Sequence, residues 1–228
     1  MWDNGSGVYA TEDLTVTYTI PAGQTGPLYI TRAQLKGTLT LTSLTAQDDD
    51  IDAAIADACR AIDNICERRF YLDADANQVR YYSPTRADLL EIEDVAVLTT
   101  LASTDDGTTT YGNTWTLNSD FVLEPLDAQA DSQNQRPYTR LRTHPSGQFT
   151  FNTFYPRSVK VTGQFGWLTV PDAISGAASM LAARLLTIRR SAPLGIVSFD
   201  GGAIRVARMD SQVMTLIGPY MRHRVGIA

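Results

Sequence analysis

Histidine and cysteine are nearly absent: the 228-residue chain holds two of each. A zinc centre needs such ligands clustered at short spacings, and no Cys/His spacing of that kind occurs. His144 lies in a Thr-His-Pro-Ser-Gly context with no nucleophile pattern around it, which reads as a surface loop. Cys59 and Cys66 stand seven apart in a helical pattern, so both fall on one buried face rather than at disulfide geometry, and read as small core residues. A Gly-x-x-x-x-Gly-Lys phosphate loop is missing, as is a Gly-x-Gly-x-x-Gly following a strand. These absences leave catalysis unsupported, and the chain is expected to be non-enzymatic, with no cofactor and no bound metal.

Long apolar runs are missing too. No segment approaches the roughly 20 unbroken apolar residues of a bilayer span, so no membrane partner is expected. The opening Met1-Trp2-Asp3-Asn4-Gly5-Ser6-Gly7 has neither a basic start nor an apolar stretch of signal type, which points to synthesis in a cytoplasm. The hydrophobic share of 43% allows a substantial core. The length suits one large domain or a core domain carrying an insertion.

The net charge of −6 hides an asymmetry. Residues 1–156 hold 10 Lys/Arg against 22 Asp/Glu, a balance of −12, whereas residues 157–228 hold 9 against 3, a balance of +6. Such a division can orient a subunit between two partners or along a polyanion.

Leu14, Val16, Tyr18 and Ile20 alternate with threonines at a period of two and predict a strand, which Pro21 and Gly23 stop. This strand sits in an extended N-terminal arm, residues 1–27. A lone strand on a Gly/Pro tether cannot satisfy its own backbone groups, so these four residues are expected to add to a sheet of a neighbouring subunit, the alternative being the edge of their own module. Thr31-Arg32-Ala33-Gln34 has capping-box spacing and predicts a short helix from Arg32 to about Gly37. Asp48-Asp49-Asp50 then precedes the clearest periodic segment, in which Ile51, Ile55, Ala58, Cys59, Ile62, Cys66 and Phe70 share one face. The three acids read as a helix cap rather than as metal ligands. Arg68 and Arg69 fall in the last turn of the predicted helix, complementing its dipole.

From Gln78 to about Phe165 short apolar runs are broken by Gly, Asn, Asp and Pro, the pattern of a β-rich module. Strands are expected near 79–82, 89–92, 95–101, 115–117, 121–123, 139–142, 148–151 and 159–165, with an exposed loop over 127–135. Helical grammar returns at Val170-Pro171-Asp172-Ala173-Ile174. Ile174, Ala177, Ala178, Leu181, Leu185 and Ile188 mark the apolar face of a helix reaching about Arg190. A hairpin around Asp200-Gly201-Gly202 and a last helix from near Asp210 follow, the latter ended or kinked at Gly218-Pro219.

The expected fold class is therefore α+β, with long helices near 51–70, 172–190 and 210–218 and a β-rich insertion between the first two. The corresponding domains are the arm (1–27), a helical core with its C-terminal tail (28–72 and 169–228) and the β module (73–168). Trp115, Phe121, Tyr138, Phe149, Phe151, Phe154, Tyr155, Phe165 and Trp167 could stack on sugars, but aromatics in a small β module more often form its core. Arginines such as Arg184, Arg189 and Arg190 are dispersed in an acidic chain, which argues against sequence-specific DNA binding.

Two separated passages carry a resemblance. Tyr29-Ile30-Thr31 with Leu35-Lys36 precedes an acidic capped helix ending in Arg68-Arg69-Phe70, and Gly166-Trp167 with Val170-Pro171-Asp172-Ala173-Ile174 opens the second long helix. Arg205-Val206-Ala207-Arg208-Met209-Asp210 through Pro219-Tyr220-Met221-Arg222 closes the set. In this order the pieces resemble tailed-phage head-to-tail connector proteins.

The resemblance implies a structural virion protein at the head–tail junction, made in the host cytoplasm. It implies an adaptor forming a homo-oligomeric, dodecameric ring beneath the portal protein, meeting a stopper or tail-completion protein, with DNA passing through without sequence recognition. It further implies that the C-terminal tail docks on the portal through Tyr220, Arg222, His223, Arg224, Val225 and Ile227. A stopper or tail-completion role is the alternative within the class. A carbohydrate- or receptor-binding β module is the alternative from another class, and an unrecognised hydrolase is a third.

Overall fold

A computed structural model describes residues 7–11, 14–18, 26–39, 48–129, 135–191, 196–199, 202–205 and 211–222. It is α+β and divides into two compact units, Met1–Glu67 with Asp172–Ala228, and Arg68–Pro171.

The first unit opens with strands β1 (Gly7–Thr11) and β2 (Leu14–Tyr18), which pair antiparallel as a two-stranded ladder. Helix α1 (Arg32–Thr38) follows, and its capping box is formed: the Thr31 side chain accepts from the Gln34 N–H, and Gln34 Oε1 accepts from the Thr31 N–H at 2.7 Å. Helix α2 (Asp48–Cys66) buries Ile51, Ile55, Ala58, Cys59, Ile62 and Cys66, the face its periodicity marks.

The helix stops sooner than its pattern predicts. Glu67 adopts a left-handed conformation (φ 51°), which breaks the α2 geometry. Arg68 and Arg69 therefore lie beyond the last turn, where they cannot serve the helix dipole. Arg68 instead pairs with Asp94 at 3.6 Å, and Phe70 is fully buried against Trp167 with ring centroids 5.3 Å apart. Tertiary burial of Phe70 outweighs one more helical turn.

The second unit contains β3 (Gln78–Tyr82), β4 (Leu89–Ser103), β5 (Asn113–Trp115), β6 (Phe121–Glu124), β7 (Tyr138–Thr143) and β8 (Val159–Phe165). They form an antiparallel sheet ordered β3-β8-β4-β7-β6, with β5 paired to β4. The two strands expected over 89–92 and 95–101 are one continuous strand, its register shifting at bulges near Glu91/Val95, Val95/Val97 and Leu98/Thr100. Asp94 lies in the interval between the two expected strands. Its carboxylate accepts from Trp167 Nε1 at 3.1 Å, and its carbonyl accepts from the Gly166 N–H at 2.8 Å.

Residues 148–151, expected as a strand, are irregular. Phe151 is still buried, and its N–H donates to the Ala87 carbonyl at 2.9 Å. Its apolar character reported burial rather than pairing. The inner face of the sheet gathers around Trp115, which stacks on Phe151 at 4.7 Å and donates through Nε1 to Ser103 Oγ at 2.9 Å. Gly163 lies where β8 crosses β4: a Cβ there would collide with the Val97 carbonyl oxygen.

Back in the first unit, helix α3 (Asp172–Ser191) packs against both α1 and α2. Its buried residues include Ile174, Ala177, Ala178, Leu181 and Ala182, with Leu186 buried in place of the expected Leu185. Short alanines on both α2 and α3 permit close helix axes. Strands β9 (Ile196–Phe199) and β10 (Gly202–Arg205) pair as the expected hairpin. Helix α4 (Ser211–Ile217) packs on α3 through buried Val213 and Ile217, and a 3-10 turn, Gly218–Tyr220, ends it at the expected proline.

Candidate assembly surfaces

The groups that sequence reading weighed for chemistry have structural partners. His144 Nδ1 accepts from the Ser146 N–H at 3.2 Å, closing its own turn. Neighbouring Asp120 accepts from the N–H groups of Thr116 (2.8 Å) and Gln148 (3.1 Å), which hold its carboxyl below the ordinary carboxylate range. Such a group organises a loop and is a poor base. Cys59 and Cys66 are buried free thiols. Burial pushes Cys59 up to about 11, against the backbone N–H of Tyr29 that donates to its sulfur at 3.3 Å. Among the described residues no three His, Cys, Asp or Glu side chains group as a metal site.

The acidic run at the start of α2 ties helices together. Asp48 pairs with Lys36 and with Arg32 (2.8 Å), while Arg32 also pairs with the buried Asp52. The Lys36 ammonium is the main cause that lowers the Asp48 carboxyl, with Arg32 adding to it. Sequence spacing could not have shown this, because Arg32 and Asp52 are twenty positions apart.

Three regions bear on possible partners. The first is the N-terminal ladder, where Leu14 faces Thr11, Val16 faces Tyr9 and Tyr18 faces Gly7. Ile20, predicted with them, lies outside the described residues. Strand β1 carries little sequence signal beyond Val8-Tyr9-Ala10 between Gly7 and Thr11.

The second region is the C-terminus. Pro219 occupies an early position of the 3-10 turn, where its missing N–H is harmless. Half-buried Tyr220, Met221 and Arg222 follow, and the Arg222 N–H donates to the Cys66 carbonyl at 3.0 Å. That bond satisfies one of the carbonyls left open at the end of α2. Arg222 is therefore held by its backbone at the C-terminal end of α2. His223, Arg224, Val225 and Ile227 lie outside the described residues.

The third region is the outer face of the sheet along β3. Val79 and Tyr81 are 43% and 41% exposed. The Tyr81 ring lies 5.6 Å from that of Tyr111, with the Arg157 guanidinium 4.5 Å above it. By contrast, most of the aromatics weighed for sugar stacking are interior: Trp115, Phe121, Phe151, Phe165 and Trp167 are buried. Tyr138, Phe149 and Tyr155 are half-buried, and Phe154 is 83% exposed.

Two β-hairpins, a set of packed helices with a short capped one, and a bulged antiparallel sheet define an α+β class that recurs in solved assemblies. The chain is similar to a chain of the neck of an empty GTA particle computed with C6 symmetry, at 16% identity and a TM-score of 0.51, covering 90% of this chain and 97% of that one. It is also similar to chains from the neck of the native GTA particle with C12 symmetry (17% identity, TM-score 0.46) and from the virion of the native gene transfer agent particle (19%, 0.47), with the same coverage of both chains. No family model matches the sequence. No curated protein matches it. The first likeness establishes the fold, which this chain shares over nearly its whole length with a protein of a particle neck.

Proposed function

We propose that this chain is a structural component of the head–tail junction of a phage-type virion, an adaptor whose copies close into a ring beneath the portal. The observation that carries the reading is the fold shared with the neck chain, 90% of this chain on 97% of that one. That neck is cyclically symmetric, and a chain repeated around an axis needs a heterologous, head-to-tail interface that closes. The connector resemblance in the sequence supplies the finer features independently: twelve copies, a DNA channel, a portal above and a stopper or tail-completion protein below.

In this reading the tail beyond α4 docks on the portal. Tyr220, Val225 and Ile227 bury against apolar pockets, while Arg222, His223 and Arg224 meet carboxylates, offsetting the entropy of ordering a peptide. The backbone bond of Arg222 to Cys66 supports this, because it fixes the point beside the C-terminal end of α2 from which the tail begins.

Electron microscopy of particles assembled without this protein tests the reading. DNA-filled heads lacking tails, or heads that have leaked DNA, are expected; normally tailed particles overturn it.

A further inference from the structure

Sheet edges are where a chain with unpaired backbone can recruit another. The main path of the six-stranded sheet ends in β3 and β6, which are built differently, and the three-residue β5 pairs with β4 off that path. Strand β6 is guarded: Glu124 is held by Arg140 and Arg142, and Pro125 follows directly. Strand β3 has no such guard. Its one charged residue, Arg80, lies 3.8 Å over the Phe165 ring on the inner face and pairs with Asp73 and Glu93. Among the described residues no strand pairs along its outer side, and its outward side chains, Val79 and Tyr81, are apolar and exposed.

The first unit has the complementary deficiency. Strands β1 and β2 form a ladder of two, which is marginal in water without a third strand or a packed face. Strands β1, β2 and β3 are each five residues long. Strand β2 alternates Leu14, Val16 and Tyr18 with threonines, whereas β1 opens on Gly7 and offers a weaker partner. The seven residues 19–25 that tether the hairpin include Pro21 and Gly23, and span up to roughly 25 Å when extended.

We propose that β2 of one copy adds to the β3 edge of the adjacent copy, extending its sheet and setting Leu14, Val16 and Tyr18 beside Val79 and Tyr81. The inference rests on the ring reading above. Self-pairing of β3 with β3 would be isologous and would stop at a dimer, whereas a hairpin that differs from its acceptor edge propagates around a ring. Backbone bonds supply the affinity, and the apolar cross-strand pairs fix the register.

The test mixes two differently tagged full-length chains, one carrying Val16→Cys or Thr15→Cys and the other Val79→Cys, assembled on the cognate portal. Cys59 and Cys66 are buried and leave the background low. A disulfide-linked pair of unlike chains on a non-reducing gel is expected from rings of normal size. Removing residues 1–25 is expected to raise the concentration at which rings half-dissociate about tenfold or more, with the monomer's melting temperature unchanged. Rings of normal size with no cross-link from either pair, and cohesion unchanged by the deletion, overturn the strand addition and leave the ring standing. Wild-type chains that form no ring on the portal overturn both.

Discussion

Thr104 and Thr108 clamp the carboxylate of Asp106 from two sides. The Thr104 hydroxyl donates at 2.6 Å, and Thr108 donates through its N–H (3.0 Å) and hydroxyl (2.8 Å). Led by the Thr104 bond, these donors hold the Asp106 carboxyl at about 2. A carboxyl depressed in the folded state contributes stability above its unfolded value near 4, and that contribution is lost as pH falls toward about 2. Asp106→Asn keeps an acceptor in the turn but removes the titration. Melting temperatures followed by circular dichroism between pH 4 and pH 2 are therefore expected to fall less steeply in the variant than in wild type. Asp48, Asp88 and Asp120, also lowered by their donors, supply the slope that remains. Equal slopes in the two proteins would show that the clamp does not matter to stability. The residue scale also holds a constraint that identity alone hides: Gly166 sits at φ 109°, and a Cβ there would meet the Tyr71 carbonyl oxygen. Only glycine suits that approach.

Helix α2 is the element on which the first unit is assembled, since α1 and α3 both pack on it. Ile55 is fully buried at the centre of its apolar face. Ile55→Asp removes the packed side chain and leaves a carboxylate without a partner, at a cost of about 3 kcal/mol or more. Urea denaturation monitored by helical ellipticity is expected to show the midpoint falling accordingly, and an unchanged midpoint would contradict the packing. The periodicity of this face is plain in the sequence because it repeats over five turns. Its C-terminal end was not legible. Arg68, Arg69 and Phe70 continue a helical pattern locally, and only the burial of Phe70 on Trp167 and the pairing of Arg68 with Asp94 draw the chain out of it. The same cause merged two expected strands into β4: a bulge absorbs Asp94, whose bond to Trp167 spans 73 positions.

For the whole molecule, the proposed portal contact depends on the residues that follow Arg222. A chain ending at Arg222 keeps the backbone bond to Cys66 and all of α4, so its melting temperature is expected to match that of the full chain. Its co-sedimentation with purified portal rings is expected to be lost, since Arg224, Val225 and Ile227 are gone; retained binding would remove the docking role. The sequence by itself determined the elements whose signals are local: the capped α1, the apolar faces of α2 and α3, the hairpin at 200–202, the stop at Gly218-Pro219 and most of the strands. It also determined the α+β class, since periodicity changes sharply at residues near 78 and 170. Tertiary structure alone decided the strand order, the helix-tying ion network of Arg32, Lys36, Asp48 and Asp52, the end of α2 and the unguarded edge at β3. The reason is that a period reports which face of a segment avoids water, whereas partners across 20 to 90 positions are chosen by the packing of several such faces at once.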